Sequence, residues 1–268
     1  MVLLKERMGE CDNRKFQCHN ILLSCDDGID SKFVFDFYEK LKLNNNVVMI
    51  LPNKNVSLTS AAVTVNSLFK LERINNTDEE CYSLNGYTTD CIAIGCSSVM
   101  PIKFDIVICG INYGLNLGDD VFYSSNFMAA REAAIEGKCA IVISAEGMKN
   151  MAVADIVNIS IQLLDNIHEQ LESGYIYNIN LPDCKLCEMK EIIFTVPTYT
   201  RNETDFKVLK KEKTFLEIMP ANVSGGYAET SENEDLNAIK NKKISITKIK
   251  KGNIDFCNDN VGTSIKII

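Results

Sequence analysis

The sequence has few histidines and no long apolar run. His19 and His168 are its only two histidines, and neither has neighbours typical of a metal site. A histidine-rich metal cluster or a Ser-His-Asp triad is therefore disfavoured. No stretch approaches the roughly 20 apolar residues that span a bilayer, and residues 1–20 are charged, unlike a secretory signal. We expect a cytoplasmic protein that does not contact membranes.

The chain carries too few basic residues for a nucleic-acid surface. Lys and Arg number 28 against 36 Asp and Glu, a net charge of −8. This balance argues against nucleic acid and anionic membranes as partners. An acidic protein can still bind an anionic substrate where a bound cation reverses the local field.

The cysteines show neither a zinc nor a disulfide framework. They number 11, an odd count, and their spacing is irregular. Most lie in apolar runs, where a free cysteine behaves as a small buried hydrophobe. Cys184 and Cys187 form a C-x-x-C pair without a second pair, which we interpret as structural.

Apolar runs alternate with amphipathic segments, a pattern that predicts an α/β fold. Residues 20–24 and 47–51 are predicted strands, and a helix between them is capped by Asp30 or Ser31. Such a β-α-β unit is typical of a parallel sheet. Further strands are predicted at 61–71, 104–109, 140–144, 175–181, 192–196 and 243–249, and helices at 91–100, 124–137 and 152–171.

Three regions follow from this pattern. Residues 1–19 are a loosely attached N-terminal extension. Residues 20–183 are a doubly wound, Rossmann-like core with a mostly parallel sheet between helices. Residues 184–268 are an irregular C-terminal extension with a hairpin arm, which forms one structural unit with the core.

An acidic loop follows the first predicted strand. Ligands of open parallel sheets bind beyond the carboxyl ends of the strands, and Asp26 and Asp27 lie at such an end. Adjacent carboxylates repel unless a cation lies between them, and oxygen donors suit Mg²⁺ or Mn²⁺. The alternative is that Asp26 is a turn residue and Asp27 a helix cap.

A glycine-rich loop, residues 110–120, follows another predicted strand. A helix starts after it near Ser124, and helix N-termini favour phosphate. The glycine spacing is not that of a dinucleotide fingerprint. A purely structural turn is the alternative, and Asp119 and Asp120 are interpreted as solvated or capping residues. Together, the acidic pair and the anion-binding loop indicate phosphate ester chemistry.

Several motifs, in order, resemble those of the SurE family of survival-protein nucleotidases. The resemblance is clear over residues 20–183 and thin afterwards. The matching segments are Ile21–Ile29, Pro52–Ser57, Gly86–Cys91, Asp105–Ser124 with Ala129, Ala130 and Glu132, Tyr177–Asp183 and Ile244–Thr247.

The resemblance implies an enzyme. Members of the family hydrolyse 5′- and 3′-nucleoside monophosphates, and some act on short polyphosphate, with a divalent metal. They exchange C-terminal arms, which implies a homodimer or homotetramer here. By position, the implied metal ligands are Asp26, Asp27, Ser57 and Asn112. The implied catalytic residues are Asp26, Asp27, Asn116 and Ser124, and the implied substrate-binding residues are Gly110, Asn112, Asn116, Ser124, Ser125 and Asn126.

The chain departs from the family pattern at a few positions. Cys25 stands where the family has Asn, and Ser124-Ser125-Asn126 where it has Ser-Gly-Thr. Residues 30, 31 and 56 also differ. A non-catalytic nucleotide-binding relative therefore stays an alternative, as does attack by Asp26 instead of water. An aspartyl phosphotransferase is disfavoured because it needs Asp-x-Asp, and a dinucleotide oxidoreductase is disfavoured by the glycine spacing.

Overall fold

A computed structural model describes residues 15–74, 80–189, 191–199, 205–221, 230–251 and 261–266. Its strands are β1 Asn20–Ser24, β2 Asn46–Pro52, β3 Leu71–Arg73, β4 Cys81–Leu84, β5 Ile106–Tyr113, β6 Cys139–Ala145, β7 Tyr175–Leu181, β8 Glu191–Thr195, β9 Phe206–Lys211, β10 Leu216–Pro220, β11 Ile244–Lys250 and β12 Ser264–Lys266. Its helices are α1 Val34–Leu41, α2 Thr88–Cys96, α3 Ser125–Ile135, α4 Val153–Ile167 and α5 Asp235–Lys240.

Ten of these strands form one sheet, in the order β12-β8-β11-β7-β6-β5-β1-β2-β4-β3. The central strands, from β7 to β4, are parallel to one another. Strands β3 and β12 pair antiparallel at the two edges, and β11 pairs antiparallel with β7. The predicted doubly wound α/β fold is confirmed.

Helices cover both faces of the sheet, which explains why its central strands are apolar on both sides. Leu23 of β1 packs with α1 and α4 in one cluster, which includes Phe37 and Leu164. Leu22 packs with α2 and α3 in the other, which includes Phe127. The buried free cysteines behave as the small hydrophobes predicted for them; they are Cys25, Cys81, Cys91, Cys109, Cys139 and Cys184.

The strand predicted at 61–71 is wrong for residues 61–70, which form no strand. Only β3, which begins at Leu71, pairs in the sheet. The apolar side chains of this segment are exposed, with Leu68 91% accessible, so their weak alternation does not mark a buried sheet face. Instead, the backbone N–H of Thr64 donates to Asp90, which anchors the segment to α2.

Helix α2 begins three residues before its predicted start, at Thr88 rather than Cys91. The Asp90 carboxylate explains the earlier start, because it accepts a hydrogen bond from the backbone N–H of Tyr87 at 2.9 Å. This bond satisfies a donor that a helix N-terminus otherwise leaves unpaired.

The described part of 184–268 extends the same sheet. Strands β8 and β11 are parallel neighbours, and β11 joins the extension to β7. The predicted hairpin is formed by β9 and β10, whose side chains are exposed. Residues 190, 200–204, 222–229, 252–260 and 267–268 of this region lie outside the described residues.

Most of the predicted extension at residues 1–19, namely 1–14, also lies outside the described residues. Of the remainder, Phe16 is buried, and its backbone N–H donates to Asp165 at 2.8 Å. No helix in the described ranges is long and apolar enough to cross a membrane.

Candidate metal and phosphate site

The acidic turn follows β1 and rests on the loop after β2. Gly28 has φ +67°, and a Cβ there would lie 2.5 Å from the carbonyl oxygen of Lys54. Glycine is therefore required on steric grounds. The carbonyl of Asp26 accepts a hydrogen bond from Val56 N–H at 2.8 Å. These contacts fix the carboxylates of the turn next to the loop that carries Ser57.

The carboxylates of Asp26 and Asp27 lie side by side. One ligand atom from each of these residues and from Cys25 lies within 4.8 Å of the others. Asp26 is 2% exposed, and burial, with the adjacent Asp27 carboxylate, raises its pKa to about 7. Burial also raises the pKa of Asp27 above its ordinary value. Two such carboxylates are poorly compensated by the protein, so a divalent cation fits this pair.

Cys25 faces inward from the same turn. Its thiol donates to the carbonyl of Ile111 at 3.7 Å, and burial raises its pKa well above the ordinary value. A thiol that stays protonated is a poor metal ligand. The oxygen atoms of the two aspartates are therefore the better donors, and they suit a hard cation.

Three loops meet at Asp27. Its carboxylate accepts a hydrogen bond from Asn55 Nδ2 at 3.1 Å, and the Ser57 side chain and the Tyr113 backbone favour its charged form, which partly offsets the rise in its pKa on burial. The predicted ligand Ser57 thus lies beside Asp27, one of the two predicted carboxylate ligands. The predicted ligand Asn112 is the residue before Tyr113, whose backbone also lies beside Asp27. Asn55 was not singled out from the sequence, although it lies in the matching Pro52–Ser57 motif.

Asn126 and Ser125 connect the start of α3 to these loops. Asn126 Nδ2 donates to Asp26 Oδ1 at 2.7 Å, and Asp26 N–H donates to Asn126 Oδ1 at 2.9 Å. Ser125 Oγ donates to the carbonyl of Val56 at 2.9 Å. Both side chains are fully buried. Their predicted contact with substrate stays a prediction, because the structure gives each of them a partner within the protein.

Ser124 is the N-cap of α3. Its Oγ accepts a hydrogen bond from Phe127 N–H at 3.2 Å, as its position before an eleven-residue helix requires. The helix N-terminus therefore starts where the resemblance implies a phosphate contact. Cations are disfavoured and anions favoured at such a terminus.

The glycine-rich loop begins inside β5. Gly110 has φ +138°, and a Cβ there would lie 2.4 Å from the carbonyl oxygen of Ile143. Asn112 Nδ2 donates to the carbonyl of Gly114 at 2.8 Å. That bond occupies the amide nitrogen and not the amide oxygen, which is the atom a metal would use.

Asn116 is held by buried polar side chains of β6 and β7. Its Nδ2 donates to Ser144 Oγ at 2.9 Å, and its backbone N–H donates to Asn180 Oδ1 at 2.8 Å. Asn178 and Asn180 both donate to its carbonyl. Over residues 15–74 and 80–189, no hydrogen bond joins Asn116 or Ser124 to either aspartate. Their predicted roles toward substrate stay predictions.

Asp235, at the start of α5, also holds the glycine-rich loop. Its Oδ2 accepts from Gly118 N–H at 2.9 Å, and its Oδ1 accepts from the N–H and hydroxyl of Thr198. It is fully buried. Sequence reasoning missed this residue, as it missed the support from Asn178 and Asn180. The signal that could have found Asn178 and Asn180 is their alternation with apolar residues in the strand Tyr175–Leu181.

The fold and site define a Rossmann-like α/β protein with an acidic pair and a helix N-terminus at the carboxyl ends of its strands. The chain belongs to the SurE family. Residues 21–204 match the family described as "Survival protein SurE".

Relatives match over most of the chain. The protein is 37% identical over 235 residues to "5'/3'-nucleotidase SurE" of Wigglesworthia glossinidia brevipalpis, covering 86% of this chain and 90% of that one. It is 33% identical over 232 residues to "5'-nucleotidase SurE" of Histophilus somni (strain 2336), covering 86% and 92%. The crystal structure of the SurE protein from Aquifex aeolicus superposes with a TM-score of 0.75, at 26% identity, covering 89% of this chain and 95% of that one.

Proposed function

We propose that this protein is a metal-dependent phosphomonoesterase that hydrolyses nucleoside monophosphates. Family membership and relatives named as nucleotidases support the reaction class. The observation that carries the proposal is the adjacent pair of Asp26, which is buried, and Asp27, which is half-buried; the pKa of each is raised. Their location at the carboxyl end of β1 is where an open parallel sheet binds its ligands.

A divalent ion, Mg²⁺ or Mn²⁺, would be held by Asp26 and Asp27 with Ser57 and Asn112. All four offer oxygen atoms, the donors that these ions prefer. When bound, such an ion polarises phosphoryl oxygens and lowers the pKa of bound water. The chain's own carboxylates anchor the site, because Asn55 donates a hydrogen bond to Asp27 and Asn126 donates one to Asp26.

The start of α3 and Asn116 would bind the phosphate. The helix N-terminus offers backbone N–H groups, and the Ser124 hydroxyl, whose oxygen already caps the helix, keeps its hydrogen for a phosphate oxygen. A well-placed donor of this kind stabilises a transition state by about 3–4 kcal/mol. Water is the proposed nucleophile, with Asp26 as the alternative.

We also propose that the protein works as a homodimer or homotetramer in the cytoplasm. The hairpin of β9 and β10 supports a subunit contact, because Phe206, Leu209 and Ile218 on it are all more than half exposed. An apolar surface of this kind is commonly an interaction site. Short polyphosphate is a second proposed substrate.

The test is phosphate release from a panel of 5′- and 3′-nucleoside monophosphates with EDTA, Mg²⁺ or Mn²⁺. We expect release that requires a metal. Asp26→Asn should abolish it, because an amide supplies no negative charge for the ion. Asp36→Asn is the matched control, since Asp36 is exposed on α1 and should tolerate the same change. Full activity of Asp26→Asn, or turnover in EDTA, would contradict the proposal.

A nucleotide-binding protein without catalysis is the second candidate. It is favoured by the side chains of Cys25, Ser125 and Asn126, which differ from the family pattern and all point to partners within the protein. This candidate predicts nucleotide binding by calorimetry with no phosphate release under any metal.

A further inference from the structure

The amide of Asn126 pairs with Asp26 in one defined orientation. Asp26 N–H can donate only to an oxygen, so Asn126 Oδ1 must face it, at 2.9 Å. The amide nitrogen then faces the carboxylate, and it donates to Asp26 Oδ1 at 2.7 Å. Because the backbone and the side chain of Asp26 are both held, the carboxylate has little freedom to rotate. One carboxylate oxygen of Asp26, Oδ1, accepts a hydrogen bond from the Asn126 amide, and the other takes no part in the two hydrogen bonds between these residues.

The first turn of α3 holds a second loop in the same way. Ser125 Oγ donates to the carbonyl of Val56, and it accepts from the backbone N–H of Thr59 at 3.0 Å. Ser57 lies between these two residues. Neighbouring residues of one helix therefore fix the loop of Asp26 and the loop of Ser57 relative to each other.

The residues that make these contacts are those in which the chain departs from its family. The glycine of Ser-Gly-Thr has no hydroxyl to bond Val56, and its threonine has no amide to bond Asp26 twice. In this protein, Ser125 and Asn126 make both contacts, and both are fully buried.

We propose that Asn126 is a positioning residue for the metal ion, and that it acts by holding the Asp26 carboxylate with one oxygen turned toward the ion. This inference rests on the proposed function, in which Asp26 is a ligand. In this role Asn126 acts through the Asp26 carboxylate, to which it donates, and not on the ion directly. Partners that orient a metal ligand in this way typically contribute about 10–100-fold to metal affinity.

The test compares Asn126→Thr and Asn126→Val, which have the same shape and differ in one hydroxyl. The threonine hydroxyl can replace one of the two hydrogen bonds, and valine replaces neither. Ser160→Ala is the control, because Ser160 is buried in α4 and bonds only the carbonyl of Ile156. The Mn²⁺ dissociation constant is measured by calorimetry, and thermal unfolding in EDTA monitors the fold.

We expect Asn126→Val to weaken Mn²⁺ binding by about 10–100-fold, Asn126→Thr to weaken it less, and Ser160→Ala to leave it unchanged. Equal weakening in the Thr and Val variants would overturn the inference, because packing alone would then explain it. If the Val variant does not fold, Asn126→Ala, which also lacks both hydrogen bonds, takes its place, and a folded variant without these bonds that binds Mn²⁺ as tightly as the wild type overturns the inference. A wild-type protein that binds no Mn²⁺ and releases no phosphate contradicts the proposed function, and the inference with it.

Discussion

The metal-free protein should lose stability as the pH rises from 3.8 to about 7, because the unfolded chain releases the Asp26 proton at the lower value and the folded protein, where Asp26 is buried beside Asp27, only at the higher one. Burial and the Asp27 carboxylate raise the pKa of Asp26 from 3.8 to about 7. A group whose pKa is higher in the folded state stabilises the fold below its unfolded pKa, and this contribution is lost as the pH rises through the folded pKa. At about 1.4 kcal/mol for each unit of pKa, the loss is about 4 kcal/mol at most.

The assay is thermal unfolding in EDTA between about pH 5 and pH 8, with Asp26→Asn as the reference protein. Other titrating groups are common to both proteins, so the difference between their melting temperatures isolates Asp26. We expect the wild type to fall steadily relative to Asp26→Asn as the pH rises towards the folded pKa of about 7, and the difference to level off above it. Saturating Mn²⁺ should reverse the fall, because an ion that binds only the folded state stabilises it. A difference that stays constant across this range would refute the reasoning.

Three further predictions follow from the contacts of the site. Gly28→Ala should destabilise the fold by about 1–3 kcal/mol, because the φ of Gly28 is +67° and Lys54 leaves no room for a Cβ. Urea unfolding measures this loss against Gly137→Ala as the control. Gly137 also has a positive φ, but no atom lies within 4 Å of its added Cβ, so the difference between the two variants is the cost of the clash. Asp235→Ala should destabilise by about 3 kcal/mol, since Gly118 and Thr198 lose their buried acceptor; a change below 1 kcal/mol in urea unfolding would count against this. Mn²⁺ should bind about tenfold more weakly at pH 6 than at pH 8, because the ion must displace the Asp26 proton; calorimetry that shows no pH dependence would contradict this.

The fold could be predicted well where apolar runs are continuous. The central strands are buried on both faces, so they appear in the sequence as uninterrupted apolar segments, and Tyr175–Leu181 was predicted with both boundaries correct. The prediction failed at 61–70, where scattered apolar side chains are exposed. Local alternation does not distinguish a sheet face from a loop that is anchored elsewhere, as this one is by Asp90.

The site could be predicted only in part. The acidic pair and the glycine-rich loop are visible because their residues are contiguous. The hydrogen bonds that support them are not visible in the sequence, since Asp26 and Asn126 are 100 residues apart, and Gly118 and Asp235 are 117 residues apart. Asn126 illustrates the consequence: its position in a motif implied a substrate contact, which stays a prediction, whereas its two hydrogen bonds to Asp26 are visible only in the structure.

The long-range contacts also show what the side chains of Cys25 and Asn126 do beside the acidic pair. A buried thiol at position 25 bonds the carbonyl of Ile111 and contributes no strong donor to Asp26. The amide of Asn126 supplies that donor to Asp26 from the first turn of the helix that Ser124 caps. A buried carboxylate without such a donor would be costly to ionise. Replacing Asn126 should therefore harm metal binding more than replacing Cys25 with serine, which keeps a hydroxyl donor for Ile111.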